Sequence, residues 1–496
     1  MNETAPVRIA EPSRLSGRWP NSLAAWFHFP FMLAFGLATV VCLLISQRFD
    51  NPDLWWHLKV GQIIWVTHSI PATDTFSFTT NNHSWIAHEW LAQLSIYMAY
   101  HLGGYLGTMV WLSVLASLLF ILVYILCYQY CGNALVAFIG GMCALFFGTV
   151  SLSIRPLILG HIFLVSELLL LELSSRNRRI LWLLPPLFAV WVNCHGSFFF
   201  GMGILFIYWI CSYASGRWGL VVAEPWEKER RKLLGVILAI CAVALFCNPV
   251  GFRLLLYPLD ALFHQSNGMN AVLEWLPPNL RGARGIGMIA AMMVVLLLPI
   301  VRRTDLHLRE LLVVAIAFFL ATQHLRLLFV FGIVVSPVLC RLMNPGRQDR
   351  RRREHPIINA MLMAGFLSAI VCTYPNDAGI QQQIATGNPV GAVDYIRRLH
   401  LSGPMLNQYD FGGYLIWTLP EQKVFIDGRA DIYDWTGVFA EYRRWVNLDE
   451  DPQLLLDKYK IHLCLVSADA PAVQVMRHLQ GWHIAYSDDV AVVFTR

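Results

Sequence analysis

The stretch FDNPDLWWHLKVGQ (Phe49–Gln62) sets Asp53 and His57 four residues apart, on one face of a helix. A carboxylate beside an imidazole suits two kinds of chemistry: proton abstraction from a hydroxyl, or binding of a cation. A third role for Asp53 is local. Asn51 suits a helix N-cap and Pro52 the first helical position, and a first-turn carboxylate is favoured by the helix dipole. Trp55 and Trp56 read as an interfacial belt, with Trp56 and Lys59 also available to a substrate. Gly61 permits close approach of a ligand or another helix.

WIAHEWLAQ (Trp85–Gln93) adds His88 and Glu89 to the same loop. Glu89 is a second candidate acid or base, and His88 a second imidazole for a substrate. Asp53, His88 and Glu89 are the set that would hold a divalent cation, Mg or Mn, if one is used. Their spacing matches no established ligand signature, and a structural role is the alternative. Arg155 (SIRP), Arg253 (NPVGFR) and Arg326 (QHLR) each stand beside an apolar run. Guanidinium stays charged and grips phosphate with two parallel hydrogen bonds; snorkelling to lipid headgroups is the alternative. His195, in NCHG, suits a leaving phosphate or the end of its own helix. Asp74 reads as a turn residue. In KVFIDGRADIYD, Asp427 and Arg429 read first as an ion pair that pins the C-terminal part to the rest. The nearby Tyr409, Tyr414, Trp417, Tyr433 and Trp435 suit sugar stacking or docking.

The elements that carry these residues are mostly apolar. The 496-residue chain is 56% hydrophobic and 14% charged, far below the charge of ordinary soluble domains and typical of a polytopic membrane protein. Its net charge of +5 comes without an aromatic-studded basic stripe, which excludes nucleic acid as a partner. None of the 11 cysteines forms a CxxC pair, and all but Cys464 lie in or beside apolar runs, as small buried hydrophobes do.

Eleven candidate spans follow: Phe27–Ser46, Tyr105–Cys127, Ala134–Leu152, Leu157–Leu173, Leu181–Val192, Phe198–Ala214, Leu233–Cys247, Ile286–Val301, Leu311–Thr322, Leu327–Leu342 and Ile357–Thr373. Basic clusters in the N-terminal tail, at Arg176–Arg179, Glu227–Lys232, Arg302–Arg309 and Arg347–His355 fall on alternate connections. That pattern makes the N-terminus cytoplasmic and the C-terminus external. Three regions result: a cytoplasmic tail over 1–26, a membrane unit over 27–373 with a large outer loop at 47–104, and a small extracytoplasmic α/β domain over 374–496. Its expected strands include YLIWTL, KVFID, HLCLVS, HIAYS and VAVVFT. On this topology every unusual polar motif falls at the outer end of a span, as the wall of a cavity at the membrane surface requires.

The ordered motifs DLWWHLKVG, HEWL, RP, WVNCHG, NPVGFRLLLYP, FGGYLIW, VFIDGRADIY and GWHIAYSDDVAVVF resemble a group of bacterial polytopic membrane proteins of the GT-C glycosyltransferase superfamily. The resemblance runs nearly end to end. It implies many spans, a large first outer loop, and sugar transfer from a polyprenyl-phosphate or polyprenyl-pyrophosphate carrier at the outer face of the cytoplasmic membrane. It also implies an early loop acid as base or metal ligand, with Asp53 the best match and Asp50 next. The chain lacks the second-loop DxD and the WWDYG-type motif of oligosaccharyltransferase catalytic subunits. The acceptor is therefore open among glycan, lipid and protein. Two other functions fit the same composition: a polymerase or ligase of lipid-linked surface polysaccharide, and a non-enzymatic flippase or export component. The last predicts charges deep within the spans, whereas here the polar weight lies at their ends.

Overall fold

The computed structural model describes residues 27–47, 49, 51–256, 273–344 and 355–496. The tail 1–26, Asp50 and the arginine-rich 345–354 lie outside the described residues.

Every apolar run carries a helix. These are α1 (Phe29–Ile45), α3 (Trp90–Cys131), α4 (Ala134–Gly148), α5 (Leu157–Leu173), α6 (Leu184–Trp191), α7 (Phe198–Cys211), α8 (Lys228–Ala244), α9 (Ala283–Arg302), α10 (Leu308–Gln323), α11 (Leu328–Met343) and α12 (Pro356–Thr373); α2 (Leu54–Thr67) lies in the first loop. Among the described residues, four stretches are long and apolar enough to cross a membrane: Trp90–Cys131, Ala283–Arg302, Leu325–Met343 and Pro356–Thr373. The other expected spans fall on shorter helices, among them the apolar Phe29–Ile45, Ala134–Gly148 and Phe198–Cys211. α6, with 8 residues, rises only about 12 Å and continues a 3₁₀ segment, Arg178–Leu183. The shorter helices stop where polar turn motifs such as SIRP and NCHG begin.

α3 merges two pieces at a kink. Gly104 takes φ 59° and ψ −148°, a region open essentially to glycine. The kink falls just before Tyr105, where the apolar run begins, and separates the first-loop part of the helix from its apolar part. α3 and α11 form the centre, with α1, α4 and α5 around them. Glycines set the closest approaches: a Cβ on Gly148 would sit 2.6 Å from the Phe329 ring. α2 packs on the N-terminal part of α3, and a Cβ on Gly61 would meet the Gln93 carbonyl at 2.3 Å. That explains the glycine at this position.

Among the described residues there are two sheets. A small one, absent from the sequence reading, joins β1 (Gly216–Trp218), β2 (Val221–Ala223) and β3 (Leu306–His307). The other has the order β4-β5-β7-β6, formed by Met405–Asn407, Leu463–Ser467, Ala491–Thr495 and His483–Ser487. β4 and β5 are parallel and the remaining pairs antiparallel.

Two expected strands are not strands. YLIWTL belongs to helix α15 (Tyr409–Thr418), because its residues from Phe411 to Ile416 are buried on all sides. A short apolar run of that kind does not distinguish strand from helix by periodicity. KVFID is an extended segment whose Val424 bridges Ser77 of the first loop. The remaining helices here are α13 (Asp377–Gly387), α14 (Val390–Arg398), α16 (Ala430–Trp435), α17 (Val438–Val446), α18 (Pro452–Lys458) and α19 (Pro471–Met476).

Candidate active-site cavity

Six separate segments converge on one cavity of about 690 Å³. From the N-terminal end of α2 come Asp53, Trp56 and His57; from the start of α3, Glu89. The turn before α5 supplies Arg155, the α6–α7 turn His195, the turn at Leu273–Trp275 Glu274, and the start of α11 Arg326. The C-terminal region closes the far wall with Tyr409, Asp410, Tyr442 and Arg443.

Asp53 occupies the N-cap position of α2 but makes no side-chain capping bond. Asn51 accepts from the Asp53 amide at 2.9 Å instead. The Asp53 carboxylate turns into the cavity, where Arg155 Nη2 donates to Oδ2 at 2.5 Å and the Trp56 indole donates to Oδ1 at 3.1 Å. Arg155 is fully engaged: Nη1 donates to both Glu274 oxygens at 2.6 and 2.8 Å, and Nε to Asn51 at 3.2 Å. Burial works against its charge, but Asp53 and Glu274 outweigh it and raise its pKa. Arg155 is thus not a free phosphate ligand, contrary to the expectation from sequence, because its donors are spent on carboxylates.

Glu89 is placed by two neighbouring motifs that lock together. Trp90 Nε1 donates to Asn193 Oδ1 at 2.7 Å, and Leu91 N to the Asn193 carbonyl at 3.2 Å. This docks HEWL onto NCHG and sets Glu89 Oε1 3.5 Å from His195 Nε2 and 3.8 Å from His88 Nε2. The Ser197 amide donates to His195 Nδ1 at 3.0 Å, so Nδ1 is unprotonated and the neutral ring carries its hydrogen on Nε2, facing Glu89. Burial raises the Glu89 pKa, partly offset by His88 and Arg326. Burial, then Arg326 and His88, hold His195 well below the usual imidazole range. Burial and Arg155 do the same to His57, whose Nδ1 meets Gln93 at 3.2 Å.

Arg326 stacks over the Trp275 ring at 4.3 Å. His324 Nδ1 lies 2.6 Å from the Trp275 carbonyl and fixes that turn. No carboxylate pairs directly with Arg326 or Arg443 among the described residues, so both offer open guanidinium groups to the cavity.

The C-terminal region holds the site from behind. A Cβ on Gly428 would sit 2.1 Å from Asp53 Oδ1, and one on Gly413 2.4 Å from the Pro52 carbonyl. Beneath Gly428, the fully buried Arg429 pairs with Asp427 at 2.6 Å and with Asp74 of the first loop at 2.8 Å. Asp74 also accepts from Phe76 N, Ser77 Oγ and Thr80 Oγ1. Asp74 is therefore part of a joint rather than only a turn residue.

Of the sequence candidates, Asp53, Trp56, His57, Glu89, Arg155, His195 and Arg326 line the cavity. His88 stands behind Glu89. Lys59 points away and donates to Gln62 at 3.0 Å. Arg253 is exposed and outside the lining, on a helical stretch that begins at Phe252. Trp55 and Trp56 form no interfacial belt; they are 1% and 8% exposed, and Trp55 packs on Phe49, Tyr105 and Tyr414. Sequence reasoning missed Glu274, although its motif EWLPPN is conspicuous, and Arg443, which no motif marks. Among the described residues no group of three or more His, Cys, Asp or Glu, Asp53, His88 and Glu89 included, is placed to hold a metal ion.

In fold the chain is similar to solved oligosaccharyltransferase structures. At 12% identity and a TM-score of 0.53, the chain is similar to the archaeal oligosaccharyltransferase AglB from Archaeoglobus fulgidus, determined with an inhibitory peptide and a dolichol phosphate. That match covers 87% of this chain and 69% of that one. The apo form of the Archaeoglobus fulgidus oligosaccharyltransferase matches at 12% identity and 0.50, over 89% and 70% of the two chains. Its complex with Zn and sulfate lies at 11% and 0.45, over 92% and 73%. No family model matches the chain, and no curated protein sequence does.

Proposed function

We propose that the protein is a membrane glycosyltransferase that moves a sugar from a polyprenyl-(pyro)phosphate donor to an acceptor hydroxyl at the outer face of the cytoplasmic membrane. One observation carries the reading: carboxylates, neutral histidines and two open guanidinium groups share a single cavity formed by turns at the ends of the helices. A neighbour in fold was determined with a dolichol phosphate, the same donor chemistry.

In this reading Arg326, from the membrane side, and Arg443, from the C-terminal side, bind the donor phosphate and stabilise the charge that grows on it as it leaves. His195 sits beside them. Asp53, held in place by Arg155 and Trp56, faces the sugar ring as it gains positive character. The acceptor oxygen forms the new bond to the anomeric carbon while the carbon–phosphate oxygen bond breaks. Glu89 takes the acceptor proton. Its raised pKa suits a proton acceptor near neutral pH. A polymerase or ligase uses the same steps and differs only in the acceptor.

The test is turnover of a panel of polyprenyl-phosphate and polyprenyl-pyrophosphate sugars by the purified wild type, Asp53→Asn and Glu89→Gln. Each variant is expected to lose roughly 10²–10⁴-fold. Equal sugar release by all three, or none by the wild type across a broad panel, overturns the proposal.

A further inference from the structure

Two carboxylates from distant parts of the chain, Asp53 and Glu274, meet in the cavity. Such a pair repels unless a cation stands between them, commonly a divalent ion held by oxygen ligands. Here the cation is Arg155. Its guanidinium forks between Glu274, through both oxygens, and Asp53 Oδ2, while Nε is held by Asn51. Trp56 takes the remaining Asp53 oxygen. Arg326 faces the same space as a second positive charge, and Glu89 and Asp410 complete the acidic lining. An incoming divalent ion thus finds the oxygens of Asp53 and Glu274 spoken for. It is also repelled by two guanidinium groups.

We propose that Arg155 is a built-in replacement for a divalent cation, so that this site binds none and works in the presence of chelator. The Mg or Mn admitted from the sequence does not fit these residues. The division of labour is physical. Guanidinium organises two carboxylates with fixed directions and cannot be stripped by chelation. It leaves phosphate binding to Arg326 and Arg443.

This inference rests on reading the cavity as the active site, so its test does not depend on turnover. Binding of Mn²⁺ is read by electron paramagnetic resonance on the full chain in detergent, at about 1 mM, the weak end of oxygen-ligand sites. The wild type is expected to leave the free-ion signal unchanged. Arg155→Gln, which leaves Asp53 and Glu274 facing each other without a cation, is expected to bind one ion per chain, and adding Asp53→Asn is expected to abolish that binding. Stoichiometric Mn²⁺ binding by the wild type that is lost in Asp53→Asn overturns the proposal. So does a folded Arg155→Gln chain that binds none. If Arg155→Gln and Arg155→Lys both fail to fold, the wild-type titration decides alone: binding overturns the inference and its absence supports it. Loss of sugar transfer with these results intact counts against the proposed reaction, not against the role of Arg155.

Discussion

Glu89 and Asp53 are both cavity carboxylates, but different partners hold them. Asp53 is engaged at both oxygens, whereas Glu89 sits in a buried pocket against two imidazoles and has a raised pKa. If Glu89 accepts the proton, activity requires its ionised form. The acid limb of the rate profile is then expected above the ordinary glutamate range, rising with pH through the raised value. Stability runs the other way. A buried acid with a raised folded pKa favours folding most when protonated, and this advantage fades as pH rises through that value. Glu89→Gln is therefore expected to remove the acid limb with the activity, and to melt no lower than wild type at neutral pH or above. Thermal melts across pH check this, and a lower melting point for Glu89→Gln at neutral pH contradicts it. His57 and His195 add an effect of opposite sign. Their depressed values keep them neutral, so stability present above the ordinary 6.5 is expected to fall as pH drops through the folded values.

At the scale of elements, the joint between the first loop and the C-terminal region positions Asp53. The Phe76, Phe78 and Val424 backbones pair, and Arg429 closes the joint between two buried aspartates. Arg429→Met is expected to cost about 3–5 kcal/mol, because Asp74 and Asp427 are left as buried charges without a cation; chemical or thermal unfolding measures it. Gly428→Ala separates position from stability. Its Cβ would collide with Asp53 Oδ1, so transfer is expected to fall sharply with a much smaller loss of stability than Arg429→Met. Comparable stability losses in the two variants contradict that assignment. The sequence made much of this site legible. Asp53, Glu89, His195 and Arg326 stood out as polar residues in apolar surroundings, and topology placed them on one side. What pairs with what was not legible, since Arg155–Glu274 and Asp74–Arg429 span 119 and more than 300 residues. A single sequence carries no signal for such partners. Arg443 was invisible for the same reason, being one of several arginines on an ordinary amphipathic helix. Helix α15 escaped because burial on every side erased its period.

For the whole molecule, residues 374–496 form a wall of the site and not an appendage. Tyr414 packs on Trp55 at 4.9 Å, Trp417 donates to the Tyr105 hydroxyl at 3.1 Å, and Gln383 to the Ser46 carbonyl at 3.0 Å. These contacts fall on α1, α2 and both sides of the α3 kink, so the C-terminal region braces the elements that carry Asp53. A chain ending at Thr373 keeps its apolar helices but uncovers Trp55 and leaves Asp74 without Arg429. Within residues 73–84 the loop's own bonds, the Thr73–Ser84 bridge and those from Phe76, Ser77 and Thr80 to the Asp74 carboxylate, then close around a charge without its cation. Local opening of such a segment costs little once its partner is gone. The truncated chain is therefore expected to reach the membrane, lose sugar transfer, and become readily cut within 73–84 by a broad-specificity protease, with cleavage mapped by mass spectrometry. Arg429→Met in the full chain is expected to give the same cleavage at a slower rate, since Val424 and Phe425 still pair with the loop. A loop equally resistant in the wild type and the truncated chain shows that it folds without the C-terminal region, and that the cavity wall docks onto a preformed site.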